Sequence, residues 1–370
     1  MTVTPARALL LALDYPPAEG GISRLLDAWI QDTERMEWRV ITTTPGPESS
    51  SSRVIRTNLP GVLWTAKRKG APWLRQAEDR FVVAGHPYLA GPALAAALLG
   101  GARSGCLTYG GELVAHNVRH KLALAPLRLV QRVIAISSYS ADLAVQAGVH
   151  RKRVAVLRPE LRASWMIESA PRRAPDEGLK LIAIARLSDG YKNLELLLRI
   201  CAVLRPLGVV DKLTIVGGGP RLGPLREKAE SLGIADVTDL PGHLPETEVH
   251  RRLADSSVGV FPSRDSIAER GSEGFGLVIG EMAAAGIPVL VGASGGAREA
   301  AAEPWASLLD PDDLWAWVDA VEQLYANEAK RVEMGIQALK WARSIDLERG
   351  PTLLASALRA GRESRPGGWL

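Results

Sequence analysis

Short apolar runs alternate along the chain with longer segments whose apolar residues recur every three or four positions. The runs at 8–13, 38–42, 81–83, 104–108, 132–136 and 153–157 are too short for helices and read as buried strands. A second series follows at 180–185, 212–216, 236–240, 258–261 and 288–291. Helical periodicity fills the gaps, at 22–33, 92–99, 141–147, 194–207, 223–232, 246–254, 277–285 and 313–326. Strands that are apolar throughout, alternating with helices, predict α/β parallel sheets covered on both faces. Between the two series, residues 168–178 carry two prolines, several charges and no periodicity, the pattern of a linker. The expected organisation is two doubly wound Rossmann-like domains facing a central cleft. Residues 1–167 would form the first domain, 168–178 the linker and 179–345 the second domain, with 346–370 a helix or tail returning to the first.

Composition narrows the class. At 370 residues the chain exceeds what one core usually serves, and 46% hydrophobic with 23% charged residues is ordinary for a globular protein. Two cysteines, Cys106 and Cys201, allow neither a disulfide framework nor a cysteine-rich zinc site and fit a reducing, cytoplasmic compartment. The apolar stretch Leu9–Leu13 after Arg7 looks briefly like a signal-peptide core. Asp14 and Pro16-Pro17 close it early, so it reads as a buried first strand. No run of eighteen apolar residues occurs.

The formal charge of +4 is an average over unlike halves: 21 Lys and Arg against 12 Asp and Glu in residues 1–165, and 24 against 29 in 166–370. Trp64 to Arg75, with two tryptophans and four cations, concentrates the basic excess. It suits an anionic partner, peripheral contact with the inner face of an anionic membrane, or simple solvation. No nucleic-acid-binding motif accompanies it, so nucleic acid is not an expected partner.

Several constellations carry candidate chemistry. In Glu273-Gly-Phe-Gly-Leu-Val-Ile-Gly-Glu281 a glycine-rich turn feeds a helical pattern, with its two glutamates two turns apart on one expected helix face. The free amides and dipole of a helix start beside Gly276, Leu277 and Val278 suit a phosphate. Arg186 and Lys192 follow the first strand of the second series, where two cations can neutralise a diphosphate. Gly20-Gly21 opens a helix after the first strand, and Gly217-Gly218-Gly219 ends another strand without completing a dinucleotide fingerprint, since position 222 is Leu. Gly295-Gly296-Ala-Arg-Glu299 follows the run at 288–291.

Taken together and in order, these residues resemble the retaining glycosyltransferases of family 4, which have the GT-B fold. The resemblance is clearest over 181–299. It is carried by Arg186 with Lys192, Gly217–Gly219, Phe261-Pro262-Ser263, the E-x7-E block Glu273–Glu281, Gly286-Ile-Pro-Val289, and Gly295-Gly296 with Glu299. It implies that residues 179–345 are a nucleotide-sugar-binding domain, holding a nucleotide-diphosphate sugar, and residues 1–167 an acceptor-binding domain, whose basic excess suits an anionic acceptor. Arg186, Lys192 and the amides of Leu277 and Val278 would hold the diphosphate. Glu273, with the amides of Phe275 and Gly276, would face the sugar, and Glu281 the ribose. Gly218 and His243 would lie near the donor, with His243 at the base or as a plain loop residue. Gly20 and Gly21 would meet the distal phosphate.

The first half matches through Tyr15-Pro16-Pro17, Gly20-Gly21, Thr108-Tyr-Gly-Gly-Glu112 and Ile136-Ser-Ser-Tyr-Ser140. Tyr109 stands where the family often has a histidine, and His86 is the alternative catalytic group; Glu112 and Ser138 are expected on the acceptor side. Arg186 and Lys192 are six apart where five is frequent, and Asn193 replaces a common glycine. The resemblance implies hexosyl transfer without a metal or other cofactor, and no D-x-D metal motif is expected anywhere in the chain. A phosphorylase, or a nucleotide-sugar epimerase or hydrolase, on the same scaffold is the competing reading.

Overall fold

The computed structural model describes residues 5–18, 20–30, 36–46, 53–114, 117–160, 178–266, 271–344 and 349–360. Two compact units emerge: Met1–Pro159 with Glu348–Leu370, and Glu160–Leu347. The expected linker lies outside the described residues except for Gly178.

The first unit holds seven strands: β1 (Ala6–Ala12), β2 (Met36–Thr42), β3 (Val54–Arg56), β4 (Arg80–Ala84), β5 (Arg103–Thr108), β6 (Arg132–Ala135) and β7 (Val154–Val156). They form one sheet in the order β3-β2-β1-β4-β5-β6-β7 with every pairing parallel. Leu9, Leu10 and Leu11 are all fully buried, which a strand achieves only when both faces of its sheet are covered. The C-terminal helix Arg349–Arg359 belongs to this unit. Arg359 Nε pairs with Asp79 at 3.0 Å, Arg132 Nε donates to the Ala360 carbonyl at 2.8 Å, and Leu358 packs where a side chain on Gly105 of β5 would stand.

The second unit has six parallel strands: β8 (Leu179–Ile184), β9 (Val210–Val216), β10 (Thr238–Gly242), β11 (Val258–Phe261), β12 (Val289–Gly292) and β13 (Ala306–Leu309). Their order is β10-β9-β8-β11-β12-β13. Alternation along β8 divides the core: Leu179, Leu181 and Ala183 join one cluster with the helix Leu194–Leu204. Ile182 faces the other, with Phe261, Ile279 and Met282.

In both sheets the order reverses between the first strand and the fourth, at β1/β4 and β8/β11. The crevice beyond the carboxyl ends of such strands is where doubly wound sheets bind ligands. The loops after β1, β4, β8 and β11 contain Gly20, His86, Arg186 and Ser263 in turn.

Candidate active site

In the second unit, the loop after β8 is gripped by the glycine turn after β9. A side-chain carbon on Gly217 would lie 1.8 Å from the Ala185 carbonyl oxygen, and one on Gly219 would lie 2.5 Å from Leu187 backbone atoms. Both glycines have positive φ, 148° and 147°. The Leu187 amide donates to the Gly218 carbonyl and the Arg221 amide to the Leu187 carbonyl, each at 2.9 Å. Leu187 is fully buried, while its neighbour Arg186 is exposed, so the guanidinium is presented from a fixed backbone. Gly218 plays a different part: a side-chain carbon there would meet only His243, its Cβ at 3.5 Å and its backbone nitrogen at 3.8 Å, which brings these two expected donor residues together.

Lys192 ends the short turn Gly190–Lys192 and is followed by Asn193 at φ 54°, the only non-glycine residue with positive φ among the described residues. The left-handed conformation explains the family's glycine here, and asparagine is the side chain that tolerates it well. Asn193 Nδ2 adds a bond to the Pro311 carbonyl at 2.8 Å.

Lys192 Nζ donates to Glu273 Oε2 at 2.5 Å and lies over the rings of Tyr191 and Phe261 at 5.0 and 5.6 Å. The two charged side chains are only 12% and 14% exposed. Burial pulls the ammonium down, but Glu273 and Tyr191 outweigh it and hold Lys192 above the ordinary lysine value, hence cationic at neutral pH. Burial raises the Tyr191 phenol, with Lys192 and Arg186 opposing it, which sets Arg186 within electrostatic reach of the same ring.

The helix after Gly276 spans Leu277–Ala284, with Gly276 in the left-handed region at φ 87° as its N-cap. The two glutamates therefore do not share a helix face, as their spacing suggests. Glu273 lies in the loop ahead of the helix, held by a 2.7 Å bond from the Gly296 amide to its carbonyl. Glu281 lies on the helix and is buried. Gly295-Gly296 thus positions Glu273 through the backbone, with the Gly295 amide 3.3 Å from Asp265 Oδ2. Phe275 packs partly buried against the core, and Leu277 and Val278 supply the first helix amides.

Contrary to the expectation that the chain holds no D-x-D motif, Asp310-Pro311-Asp312 has that spacing. Asp310 Oδ1 accepts the Asp312 amide at 3.0 Å, its carbonyl accepts Trp317 Nε1 at 2.9 Å, and Asp312 lies 3.5 Å from Arg264. The tripeptide is a turn leading to the helix Leu314–Ala326, which Asp313 caps. Among the described residues no group of three His, Cys, Asp or Glu side chains is arranged to hold a metal ion.

In the first unit, Gly20 at φ 140° precedes the helix Gly21–Trp29, and its carbonyl accepts the Arg24 amide at 3.1 Å. Tyr109 is buried, and its hydroxyl donates to the Gly85 carbonyl at 2.8 Å. The phenol ties the ends of β4 and β5 together. Glu112 likewise turns inward to accept the Tyr109 amide at 2.5 Å, and burial raises its carboxyl against that bond and those from Gly110 and its own amide.

His86 caps the turn Pro87–Leu89, its Nδ1 accepting the Tyr88 amide at 3.3 Å. Burial pushes its pKa down to about 4, so the imidazole is neutral near pH 7 and a weak base. Ser138 is the first residue of the helix Ser138–Gln146, whose N-cap is Ser137 in a reciprocal pair with Ser140. The residues sequence reasoning missed are Tyr88 and His120. Tyr88 Oη lies 2.9 Å from His120 Nε2, and its ring centroid is 4.7 Å from that of His86. Only the meeting of a turn after β4 with the helix Val118–Leu124 joins them.

The two parallel Rossmann-like sheets, of seven and six strands, are those of the GT-B fold. Residues 167–341 match the family model described as glycosyl transferases group 1. The chain is 26% identical over 367 residues to the GDP-mannose-dependent alpha-(1-6)-phosphatidylinositol monomannoside mannosyltransferase of Mycolicibacterium smegmatis, covering 90% of this chain and 93% of the relative. It is 32% identical over 158 residues to the putative colanic acid biosynthesis glycosyltransferase WcaL of Escherichia coli K12, covering 43% of this chain and 38% of that protein. Among solved structures, Anabaena HepE in complex with UDP-glucose superimposes with a TM-score of 0.76 at 17% identity, covering 95% and 99% of the two chains. WaaG, a glycosyltransferase involved in lipopolysaccharide biosynthesis, does so with a TM-score of 0.67 at 17% identity, covering 96% and 100%. Residues 167–341 thus carry the group 1, or family 4, glycosyl transferase pattern, and the comparisons support a nucleotide-sugar-dependent glycosyltransferase.

Proposed function

We propose that the protein transfers a hexose from a nucleotide-diphosphate sugar to a hydroxyl of a glycolipid or glycan, with retention at the anomeric carbon and without a metal. The buried pair of Lys192, in the turn after β8, and Glu273, in the loop ahead of the helix at Gly276, is the observation that carries this reading. The bond between the anomeric carbon and the diphosphate breaks, and the acceptor oxygen bonds to that carbon. The acceptor proton passes to a departing phosphate oxygen, so no histidine base is required. Arg186, Lys192 and the amides of Leu277 and Val278 stabilise the charge that develops on the leaving group. A well-placed donor of this kind is worth about 2.7–4 kcal/mol. Glu273 orients the sugar, Glu281 receives the ribose, and Gly218 with His243 lines the nucleoside.

The mannosyltransferase relatives make GDP-mannose the first donor to test and phosphatidylinositol monomannoside the first acceptor. Nucleotide release is expected with one of GDP-mannose, UDP-glucose, dTDP-glucose or ADP-glucose, and to rise on adding acceptor. Release that ignores every acceptor would favour a hydrolase, and sugar phosphate formed from inorganic phosphate a phosphorylase.

An anionic lipid surface is the expected setting. The contiguous helical segments Gly61–Thr65, Ala66–Gly70 and Ala71–Leu74 expose Leu63, Trp64, Lys67, Arg68 and Lys69, and Arg68 stacks on Trp64 at 4.6 Å. Trp73, grouped with Trp64 by sequence, is instead buried against Arg7 and Arg39, at 5.1 and 4.6 Å. No helix among the described residues is long and apolar enough to cross a membrane. Each lysine or arginine near such a surface contributes about 1 kcal/mol. Flotation with vesicles containing phosphatidylglycerol is expected to carry the protein. Lys67→Glu with Arg68→Glu, or purely zwitterionic vesicles, should leave it at the bottom; equal recovery throughout would show a merely solvated surface.

A further inference from the structure

Tyr88 stands at the switch point of the first sheet, in the turn directly after β4, and is 44% exposed. Its neighbours are fixed. His86 caps its turn, and His120 sits in a helix whose N-cap, Asn117, accepts the His120 amide at 2.8 Å. His120 Nε2 is 3.0 Å from the Glu112 carbonyl oxygen and 2.9 Å from Tyr88 Oη. A carbonyl oxygen only accepts, so Nε2 carries the proton and shares it between Glu112 and Tyr88. Tyr88 thus receives a hydrogen bond from His120, which leaves its own O–H to donate to another group; its ring is tilted 53° against His86 and edge-on to His120 at 5.5 Å. The Glu112 carbonyl that sets this polarity is itself anchored, because the Glu112 carboxylate closes the turn on the Tyr109 amide.

We propose that Tyr88 binds a ring hydroxyl of a polyol acceptor, a hexose or cyclitol ring, with His120 as the positioning residue that directs its proton. An oriented phenol next to an exposed aromatic face offers both the hydrogen bond and the apolar contact such a ring requires. The inference rests on the transferase reading, in that a sugar acceptor must be held somewhere beyond the donor site.

Two measurements on the full chain test it. With ring-13C tyrosine, the Tyr88 signal is identified among the six tyrosines by its loss in Tyr88→Phe. Methyl α-mannopyranoside or myo-inositol is expected to shift it saturably in the wild type and in His120→Gln, whose amide can still donate to both partners. In His120→Ala the shift should weaken at least about tenfold. No saturable shift in the wild type with either probe would overturn the proposal. In turnover with GDP-mannose and phosphatidylinositol monomannoside, Tyr88→Phe is expected to raise the acceptor KM about tenfold, the worth of one net hydrogen bond, with the donor KM unchanged. Equal changes in both KM values would mark a structural role and overturn it. Absence of turnover in the wild type would count against the donor and acceptor assignment alone, since the spectroscopic arm does not depend on it.

Discussion

Lys192→Ala is expected to lower kcat by about 10²–10³-fold, because it removes a preorganised cation from the place where leaving-group charge develops. The same change should also destabilise the second unit, since it strands the Glu273 carboxylate in a site only 14% exposed. Breaking such a pair from one side costs about 3–5 kcal/mol when fully buried, and somewhat less here because water still reaches it. The two effects are separable. Adding Glu273→Gln to Lys192→Met should restore most of the stability, measured by urea unfolding, while turnover stays lost. The pH dependence has a definite sign. Lys192 titrates above its ordinary value in the folded chain, so its contribution is fully present below the unfolded lysine value. It fades as alkaline pH rises through the folded one.

Gly217→Ala should be the most damaging of the conservative changes in the donor site. The added carbon would lie 1.8 Å from the Ala185 carbonyl oxygen, against rigid backbone, and the residue already sits at φ 148° where alanine is strained. The loop carrying Arg186 must move, or the unit must lose stability. A loss above about 4 kcal/mol is in the range reserved for such clashes and strain. Gly218→Ala is the internal control: its new carbon meets His243 at 3.5 Å, an ordinary contact, and φ is not positive. Thermal unfolding of the two variants should therefore differ sharply, although they are adjacent and chemically identical. Similar melting temperatures would show that the backbone approach does not constrain the turn.

The contrast between these glycines shows where sequence reading stops. Spacing brought out the Gly217–Gly219 turn and placed it with Arg186, but only coordinates tell which glycine is sterically required and which borders the ligand crevice. Strands buried on both faces, such as β1 and β8, were legible because they are unbroken apolar runs. The edge strands β3 and β13 were not, since Val54–Arg56 is half-buried throughout and Leu308 is exposed.

The helix Glu328–Ser344 escaped for the opposite reason. Its buried face mixes Arg331, Met334 and Leu339 with the small residues Gly335, Ala338 and Ala342, and Gly335 lies so close to the Gly286 carbonyl that a side-chain carbon would approach it to 2.3 Å. Val332 and Ile336 are exposed, so the usual apolar period is blurred. In the site, E-x7-E spacing suggested one helix face, yet Gly276 at positive φ starts the helix after Glu273 and turns that carboxylate to Lys192 instead. Asn193 carried a readable signal, a residue tolerant of the left-handed region in a glycine's place. Tyr88 and His120 carried none, being 32 residues apart on separate elements.

The most direct test of the account is calorimetric titration of GDP, UDP, dTDP and ADP into the wild-type protein, Arg186→Ala and Lys192→Ala. At least one diphosphate should bind the wild type, with affinity reduced about tenfold or more in each variant, as expected for loss of a charge-assisted contact. Unchanged affinity in both variants would contradict the assignment of these cations to the leaving group.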